Sequence, residues 1–341
     1  MSNRLFFSWL IVLFSAFLLS ACGDPQTIKL EGQTMGTYYN VKYVPTTSSP
    51  SPAQLQKEID RLLEEVNDQM STYRPHSELS LFNSSKEVNT AFTVSPATAK
   101  VVAEAIRINQ LTEGALDITV GPLVNLWGFG PELKKIQAPS EQALAERRAW
   151  TGIDKLQVNN NTLSKSIPEL YLDLSSIAKG YGVDVVAEYL ERQNIHNYMV
   201  DIGGELRTKG KNDQHIGWRI AIERPVYGQM EQTAQEIIQP GDLAIATSGD
   251  YRNYFEQEGV RYSHTIDPTT AKPINHNLVS ITVLADNCMT ADGFSTGLNV
   301  LGPERGLAIA EKLNMPVFMI IKTEQGFEER YTTAFAPFLK K

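Results

Sequence analysis

Residues 171–180, Tyr-Leu-Asp-Leu-Ser-Ser-Ile-Ala-Lys-Gly, constrain the fold most strongly because two kinds of local structure meet within this stretch. The alternating apolar run around Asp173 predicts a strand, and the polar turn after it predicts the start of a helix. The first amides of a helix lack partners inside the helix and carry a partial positive charge. We therefore expect a strand-to-helix junction that can bind a phosphate or another anion beside Lys179.

Residues 1–21 have the pattern of an export signal. A basic start at Arg4 is followed by an apolar block that is short for a membrane span, and the segment ends in Leu19-Ser-Ala-Cys22. This box resembles the bacterial lipoprotein signal, in which the cysteine, here Cys22, is acylated and becomes the first residue of the mature chain. The alternative is an uncleaved membrane anchor. Either interpretation places the rest of the protein outside the cytoplasm.

Composition limits both the fold and the partners. With Cys22 lipidated, Cys288 is the only other cysteine, so no internal disulfide can form and the core alone must hold the fold. Residues 22–341 are long enough for either two domains or one large domain. The net charge of −8 argues against nucleic acid as a partner, because binding there depends on Lys and Arg that neutralise phosphates. A phosphate ligand would need local cations or a metal.

The order of apolar patterns predicts an α+β fold. Residues 27–44 read as two strands around a turn, and Leu55, Ile59, Leu62, Val66 and Met70 keep helical spacing. Further helices are predicted after Ser95-Pro96, over 139–150, and over 290–301 and 303–313. The glycine-punctuated segment 114–130 predicts a loop system. Hairpin-like spacing argues against a purely parallel sheet, so we expect mixed, largely antiparallel sheets packed with helices.

Two familiar motifs match only in part. Ser176-Ile-Ala-Lys179 fits the S-x-x-K pattern of enzymes with an acylated serine, but the companion S-D-N and K-T-G elements are missing. Gly128-Phe-Gly130 lacks the third glycine of a dinucleotide motif, and the chain has no Walker-type phosphate loop. Any nucleotide would therefore bind in another way.

Asp292 and Thr296 lie four residues apart on a predicted helix and so project from one face. A carboxylate and a hydroxyl, with water and phosphate completing the shell, suit Mg²⁺. On spacing alone the pattern favours a capping Asp and a Thr bonded to its own backbone.

His264 and Tyr73 are the other polar candidates. His264 stands before the turn signal Asp267-Pro268 and could act as a general base, although its position alone favours a solvated loop histidine. Tyr73 could offer an aromatic face to a planar ligand, although its position alone favours packing. The five histidines contain no H-x-x-x-H pair, which argues against zinc.

Ten stretches, taken in order, resemble the ApbE family of flavin transferases, the FAD:protein FMN transferases. They are Met35–Thr37, Met70–Pro75, Ser77–Asn83, Gly114–Pro122, Leu126–Gly130, Asp173–Gly180, Asp201–Glu205, Thr247–Tyr251, His264–Pro268 and Ala291–Thr296. The resemblance covers nearly all of the mature chain.

The resemblance implies an ApbE-like, T-fold-related architecture for residues 22–341, with two closely packed α/β lobes and FAD between them. It implies Mg²⁺-dependent transfer of FMN from FAD to a threonine or serine hydroxyl of another protein, with release of AMP. The implied acceptors are subunits of sodium-translocating or Rnf-type membrane redox complexes. The location implied by the lipid signal and these acceptors is the periplasmic side of the inner membrane.

The resemblance also implies residue roles. The flavin and adenine sites would be lined by Met35, Tyr73, Ala115, Leu116, Asp117, Asp173, Lys179 and Ile266. The metal would be held by the backbone carbonyl of Ser176 together with Asp292 and Thr296. His264 would activate the acceptor hydroxyl, with Asp292 as the second catalytic residue. Alternatives from other classes are an FAD-binding lipoprotein carrier without chemistry and a Mg²⁺-dependent pyrophosphatase that cuts FAD to FMN and AMP.

Three positions depart from the usual pattern of the family. Ser263 replaces a second histidine, Thr270-Ala271 replaces a Thr-Gly turn, and Gly293 is a poor helix former beside the expected metal ligand. We expect these departures to affect local geometry.

Overall fold

The computed structural model describes residues 25–131, 138–223, 234–249, 254–257 and 260–339. The predicted signal segment 1–21 and the lipidation site Cys22 lie outside these residues, as do Asp250 and Tyr251 of one matching stretch. Within the described ranges, no helix is both long enough and apolar enough to cross a membrane.

An eight-stranded antiparallel sheet forms the centre of the fold. Numbered along the chain and given in their order across the sheet, its strands are β1 (Ile28–Thr34), β2 (Thr37–Tyr43), β6 (Tyr198–Ile202), β7 (Glu205–Lys209), β10 (Ala244–Gly249), β15 (Leu278–Ala285), β16 (Val317–Thr323) and β17 (Gly326–Tyr331). Smaller antiparallel sheets contain β3 (Phe92–Thr93), β4 (Leu156–Asn159), β5 (Thr162–Lys165), β8 (Ile220–Glu223), β9 (Ala234–Ile238), β11 (Tyr254–Gln257), β12 (Val260–Ser263), β13 (Ile266–Asp267) and β14 (Lys272–Pro273).

Five of the seven described helices begin after a residue whose side chain caps the first turn. The seven helices are α1 (Pro52–Met70), α2 (Glu78–Ser84), α3 (Pro96–Leu111), α4 (Gly121–Leu126), α5 (Glu141–Arg148), α6 (Ala178–Arg192) and α7 (Cys288–Lys312), with 3₁₀ turns at Ile153–Lys155 and Ala336–Phe338. Ser51 and Ser95 accept hydrogen bonds from the first turns of α1 and α3, and each precedes a proline. Gly302 interrupts α7 with a φ of 76° just before Pro303, so α7 consists of two helical segments, as predicted.

The core lies on both faces of the central sheet. Ile281 and Val283 of β15 pack into a large cluster with α1, α3 and α7, whereas Leu284 faces a second cluster formed with β8, β9 and the chain end. A third cluster joins β1, β2 and β6 to α1 and α6. Covering both faces of β15 explains why almost every residue of this strand is buried.

The prediction of an α+β fold with largely antiparallel sheets is confirmed. The predicted hairpin, α1 and α3 are present. In α1 the buried leucine of the third turn is Leu63, and not Leu62 as the helical spacing predicted. The loop system at 114–130 contains the short helix α4. The division of residues 22–341 into two lobes stays a prediction.

The predicted strand before Asp173 is wrong. Residues 170–174 belong to no strand or helix. The amide of Leu172 donates to the side chain of Asn83, and the amide of Asp173 donates to the carbonyl of Ile118. These partners come from loops and helix α2, so the alternating pattern reflects one-sided burial without a strand neighbour.

Candidate functional site

The start of α6 packs directly against the first half of α7. A Cβ atom on Gly180 would lie 2.3 Å from the carbonyl oxygen of Cys288, so only glycine allows this approach. The Gly180 amide donates to Asp292 Oδ2 at 2.9 Å. The predicted helix start is therefore present, and one of its amides binds the carboxylate of a neighbouring helix.

The same contact frees the carbonyl of Ser176. In a regular helix the amide of Gly180 would donate to the carbonyl four residues earlier, which belongs to Ser176. Because this amide turns to Asp292, it forms no bond with Ser176. The helix has no side-chain cap at Ile177, so the junction leaves polar backbone groups available for a ligand.

Lys179 lies between two buried carboxylates. Its Nζ atom is 3.0 Å from Glu205 Oε1 and 3.8 Å from Asp292 Oδ1. Burial by itself lowers the pKa of Lys179, but the charges of Asp292 and Glu205 outweigh it and raise that pKa above its ordinary value. For both carboxyls the effect of burial outweighs the charge of Lys179, so the pKa of Asp292 is raised above its ordinary value and that of Glu205 is raised to about 7. Lys179 is therefore an ammonium at neutral pH.

This cluster lies in a cavity of about 630 Å³, a volume in the range of small-molecule sites. The turn between β6 and β7 forms part of its lining. Most of the predicted site residues line it: Ala115, Leu116, Asp117, Asp173, Ser176, Lys179, His264, Ile266, Asp292 and Thr296. Residues more than 170 positions apart in the chain therefore share one site.

Two predicted residues do not line the cavity. Met35 forms the turn between β1 and β2, with a φ of 50°, and its side chain packs beside Gly182 of α6. Tyr73 is 69% exposed, and its hydroxyl donates to the carbonyl of Phe129. Partial burial and the charge of Asp173, which lines the cavity, raise the pKa of Tyr73.

The wall formed by residues 115–117 and 173 is held by local hydrogen bonds. Asp117 accepts bonds from the amide and the hydroxyl of Thr119 at 2.8 and 2.6 Å. Burial raises the pKa of Asp117, and these two bonds oppose the rise. Asp173 accepts a bond from the amide of Ser175 at 2.9 Å. Both carboxylates are thus oriented before any ligand binds.

Hydroxyls and a histidine complete the lining. Thr296 lies one helical turn beyond Asp292, and its Oγ1 is 3.3 Å from Ser248 Oγ, which also bonds to Ser295 Oγ. His264 is half-buried, and its ring lies edge-on to Phe129 with the centroids 6.5 Å apart. The structure therefore brings the predicted general base into the same cavity as the predicted metal ligands.

The donor set fits a cation that takes much of its coordination from a substrate. Among the described residues, no group of three or more His, Cys, Asp and Glu side chains is placed to hold a metal ion. The residues with oxygen ligands that line the cavity include Ser176, Asp292 and Thr296, together with Glu205, whose buried Oε2 has no partner in the described part of the chain. Hard oxygen ligands of this kind suit Mg²⁺, which keeps water or phosphate in its remaining positions.

The sequence profile of the ApbE family matches residues 35–319. The chain belongs to the ApbE family. Relatives match nearly the full length of the chain. A protein from Vibrio cholerae, named FAD:protein FMN transferase, is 60% identical over 335 residues, which cover 98% of this chain and 99% of the relative. A protein of the same name from Haemophilus influenzae is 52% identical over 334 residues, with 96% of each chain covered.

Solved ApbE structures share the fold. The flavin transferase ApbE from Vibrio cholerae superposes with a TM-score of 0.87 at 60% identity, covering 92% of this chain and 99% of its own. An ApbE protein from Thermotoga maritima superposes with a TM-score of 0.81 at 25% identity, covering 93% and 100%. The ApbE-like mixed α+β fold expected from the resemblance is confirmed.

The structure explains two of the departures from the ApbE pattern. A Cβ on Gly293 would lie 2.6 Å from Ile108 Cδ1, so glycine lets α7 approach α3. Ala271 has a φ of 61°, a conformation that favours glycine, and it is held by Trp127 Nε1 donating to its carbonyl. Ser263 is buried, and its hydroxyl accepts the amide of Thr265.

Glu205 is the functional residue that sequence reasoning missed. It ends the ApbE stretch Asp201–Glu205, whose two glycines both have positive φ and form the turn from β6 to β7. A buried acid directly after such a turn is a signal that could have been read. The role of Glu205 depends on its contact with Lys179, and no sequence spacing predicts that contact.

Proposed function

We propose that this chain transfers the FMN half of FAD to a threonine or serine hydroxyl of an acceptor protein, with Mg²⁺ bound and AMP released. The names of its relatives support the transferase class, FAD as substrate and a protein as acceptor. The observation that carries the proposal is the contact between Gly180 and Asp292, which creates a charged and partly unsatisfied site at a helix start inside a ligand-sized cavity.

Charge supports the need for a metal. With both acids and the lysine ionised, Asp292, Glu205 and Lys179 together carry a net negative charge. A diphosphate brings further negative charge into the same cavity, and this repulsion is strong where water is scarce. Mg²⁺ held by Asp292, Thr296 and the Ser176 carbonyl supplies charge neutralisation for the diphosphate.

The protein's own residues would perform the remaining tasks. Lys179 binds the diphosphate oxygens, and the wall that contains Asp117 and Asp173 orients the flavin and adenine parts of FAD. His264 takes the proton of the acceptor hydroxyl as its oxygen attacks the FMN phosphorus. The bond from that phosphorus to the oxygen bridging to AMP breaks, and AMP leaves with the electron pair. The rate acceleration would then come mainly from the positioning of the two substrates and from neutralisation of the diphosphate charge.

The proposal extends to location and partners. The Leu-x-Ala-Cys22 box supports acylation of Cys22 and attachment to a membrane surface. The acceptors we propose are subunits of sodium-translocating or Rnf-type redox complexes, which places the enzyme on the periplasmic side of the inner membrane. The net charge of −8 argues against nucleic acid as a partner, and the partners we propose are FAD and a protein.

One incubation distinguishes this function from its alternatives. The chain from Gly23 onward is mixed with FAD, Mg²⁺ and an acceptor domain, then examined for flavin fluorescence on a denaturing gel and for AMP by chromatography. A transferase gives a labelled acceptor and AMP. A pyrophosphatase gives AMP and free FMN without label, and a carrier gives neither, so either of these results would contradict the proposal.

A further inference from the structure

Glu205 and Asp292 compete for the same ammonium at unequal distances. Lys179 Nζ lies 3.0 Å from Glu205 Oε1, within hydrogen-bond range, and 3.8 Å from Asp292 Oδ1, beyond it. The side chain of Glu205 is 7% exposed, that of Asp292 3% and that of Lys179 30%. The lysine is therefore the most exposed of the three side chains, and its shorter contact is with Glu205.

The two carboxylate oxygens of Asp292 make different contacts. Oδ2 accepts the Gly180 amide at 2.9 Å, which ties the carboxylate to the start of α6. Oδ1 is the oxygen that remains for a cation. An ammonium that moved from 3.8 Å into direct contact with Oδ1 would occupy the lone pairs that a divalent cation needs.

Glu205 is built into a rigid position. It is the first residue of β7 and pairs with Ile202 of β6 across a two-glycine turn. The Gly204 amide donates to Asp201 Oδ1 at 2.9 Å, which closes that turn. Glu205 shares a face of the sheet with α6 and α7. Its 3.0 Å ion pair with Lys179 therefore holds the ammonium close to β7.

We propose that Glu205 is a positioning residue that holds the Lys179 ammonium away from Asp292 Oδ1 and so keeps this oxygen available for the divalent cation. The inference rests on the metal site of the proposed function. It gives the last residue of the Asp201–Glu205 stretch a task that is separate from binding FAD.

The direct test measures metal binding without turnover. The chain from Gly23 onward, saturated with FAD and without an acceptor protein, is titrated with Mn²⁺, and free Mn²⁺ is followed by electron paramagnetic resonance. Glu205→Asp keeps the charge but withdraws the carboxylate from Lys179. We expect its Mn²⁺ dissociation constant to rise about 10-fold, the scale typical of residues that orient metal ligands. Glu205→Gln keeps an oxygen within reach of Lys179, and we expect a smaller rise.

A double-mutant cycle separates this role from a simple effect of charge or folding. In a Lys179→Met background there is no ammonium to hold, so adding Glu205→Asp should leave the dissociation constant unchanged. An equal rise in both backgrounds would overturn the proposal. The matched control is Glu191→Gln, which breaks a comparable 2.9 Å ion pair with Lys209 away from the cavity and should leave Mn²⁺ binding unchanged.

The outcomes also distinguish the inference from the function on which it rests. Wild-type protein that binds no Mn²⁺ would overturn both the metal site and the role of Glu205. If the wild type binds Mn²⁺ and Glu205→Asp binds it with the same dissociation constant, only the role of Glu205 is overturned. Thermal unfolding of each variant identifies any loss of binding that comes from a loss of folding.

Discussion

Asp292 makes a different contact with each of its carboxylate oxygens, which makes it the residue with the clearest expected phenotype. Asp292→Asn keeps an oxygen for the Gly180 amide but removes the charge opposite the metal and Lys179. We expect FMN transfer to fall by at least about 100-fold, as when a preorganised charge is lost. Flavin fluorescence on the acceptor measures this loss. Transfer at the wild-type rate would contradict the metal assignment.

His264 differs from Asp292 in that its predicted task begins only when the acceptor arrives. It lines the cavity beside Ile266, next to the ring of Phe129. We expect His264→Ala to slow transfer about 100-fold or more while FAD affinity stays close to that of the wild type. Quenching of flavin fluorescence measures the affinity. A loss of affinity without a loss in the rate at saturating FAD would reassign His264 to binding.

At the scale of elements, the junction of α6 with α7 depends on two glycines that differ in what surrounds them. A Cβ on Gly180 would meet backbone, the Cys288 carbonyl, whereas a Cβ on Gly182 would meet the flexible end of Met35 at 2.8 Å. We expect Gly180→Ala to cost about 1–3 kcal/mol of stability and to abolish transfer, because the helices must separate.

Gly182→Ala is the matched control on the same helix. Alanine favours helix by about 1 kcal/mol over glycine, and this gain offsets the displacement of Met35. Its unfolding temperature and transfer rate should therefore remain near those of the wild type. Equal damage from both substitutions would contradict the view that α6 and α7 meet through the backbone at Gly180.

Elements that follow local rules were predictable, and elements defined by distant partners were not. Helix α1 carries its own cap at Ser51 and its own apolar stripe. The stretch before Asp173 has the alternation of a strand, but its amides bind Asn83 and Ile118. Strand pairing requires a neighbour, and the sequence pattern of one segment does not specify whether that neighbour exists.

The same distinction applies to the site. Most of its residues could be placed from the ApbE motifs, since those motifs mark positions directly. Glu205 was missed because its role arises from a 3.0 Å contact with Lys179 on another element. Met35 and Tyr73 were placed by motif in the lining, yet they lie beside the cavity and not in it.

At the scale of the whole molecule, one buried lysine links pH to stability. Lys165 is 2% exposed, and the three hydrogens of its Nζ are shared among the carbonyls of Phe82, Asn83, Pro168 and Leu170 at 3.1–3.4 Å. Burial lowers the pKa of Lys165 to about 8. At neutral pH the side chain is therefore still an ammonium, which suits four carbonyl acceptors.

The sign of the resulting pH dependence is opposite to that of a surface ion pair. Between pH 8 and 10.5 the unfolded chain keeps the Lys165 proton longer than the folded chain does. The free energy of unfolding should rise with pH in this window, relative to a Lys165→Met variant. Urea unfolding of both proteins at several pH values measures the difference. A constant difference would mean that the carbonyls fully compensate for burial.

The account as a whole claims that one metal-dependent cavity moves FMN onto another protein. Intact-mass spectrometry of an acceptor domain tests this most directly, after incubation with FAD and the chain from Gly23 onward, with Mg²⁺ or with a chelator. With Mg²⁺ the account predicts an acceptor heavier by FMN less one water, on a threonine or serine, and an unchanged mass with the chelator. An unchanged acceptor in Mg²⁺, or equal modification in the chelator, would contradict it.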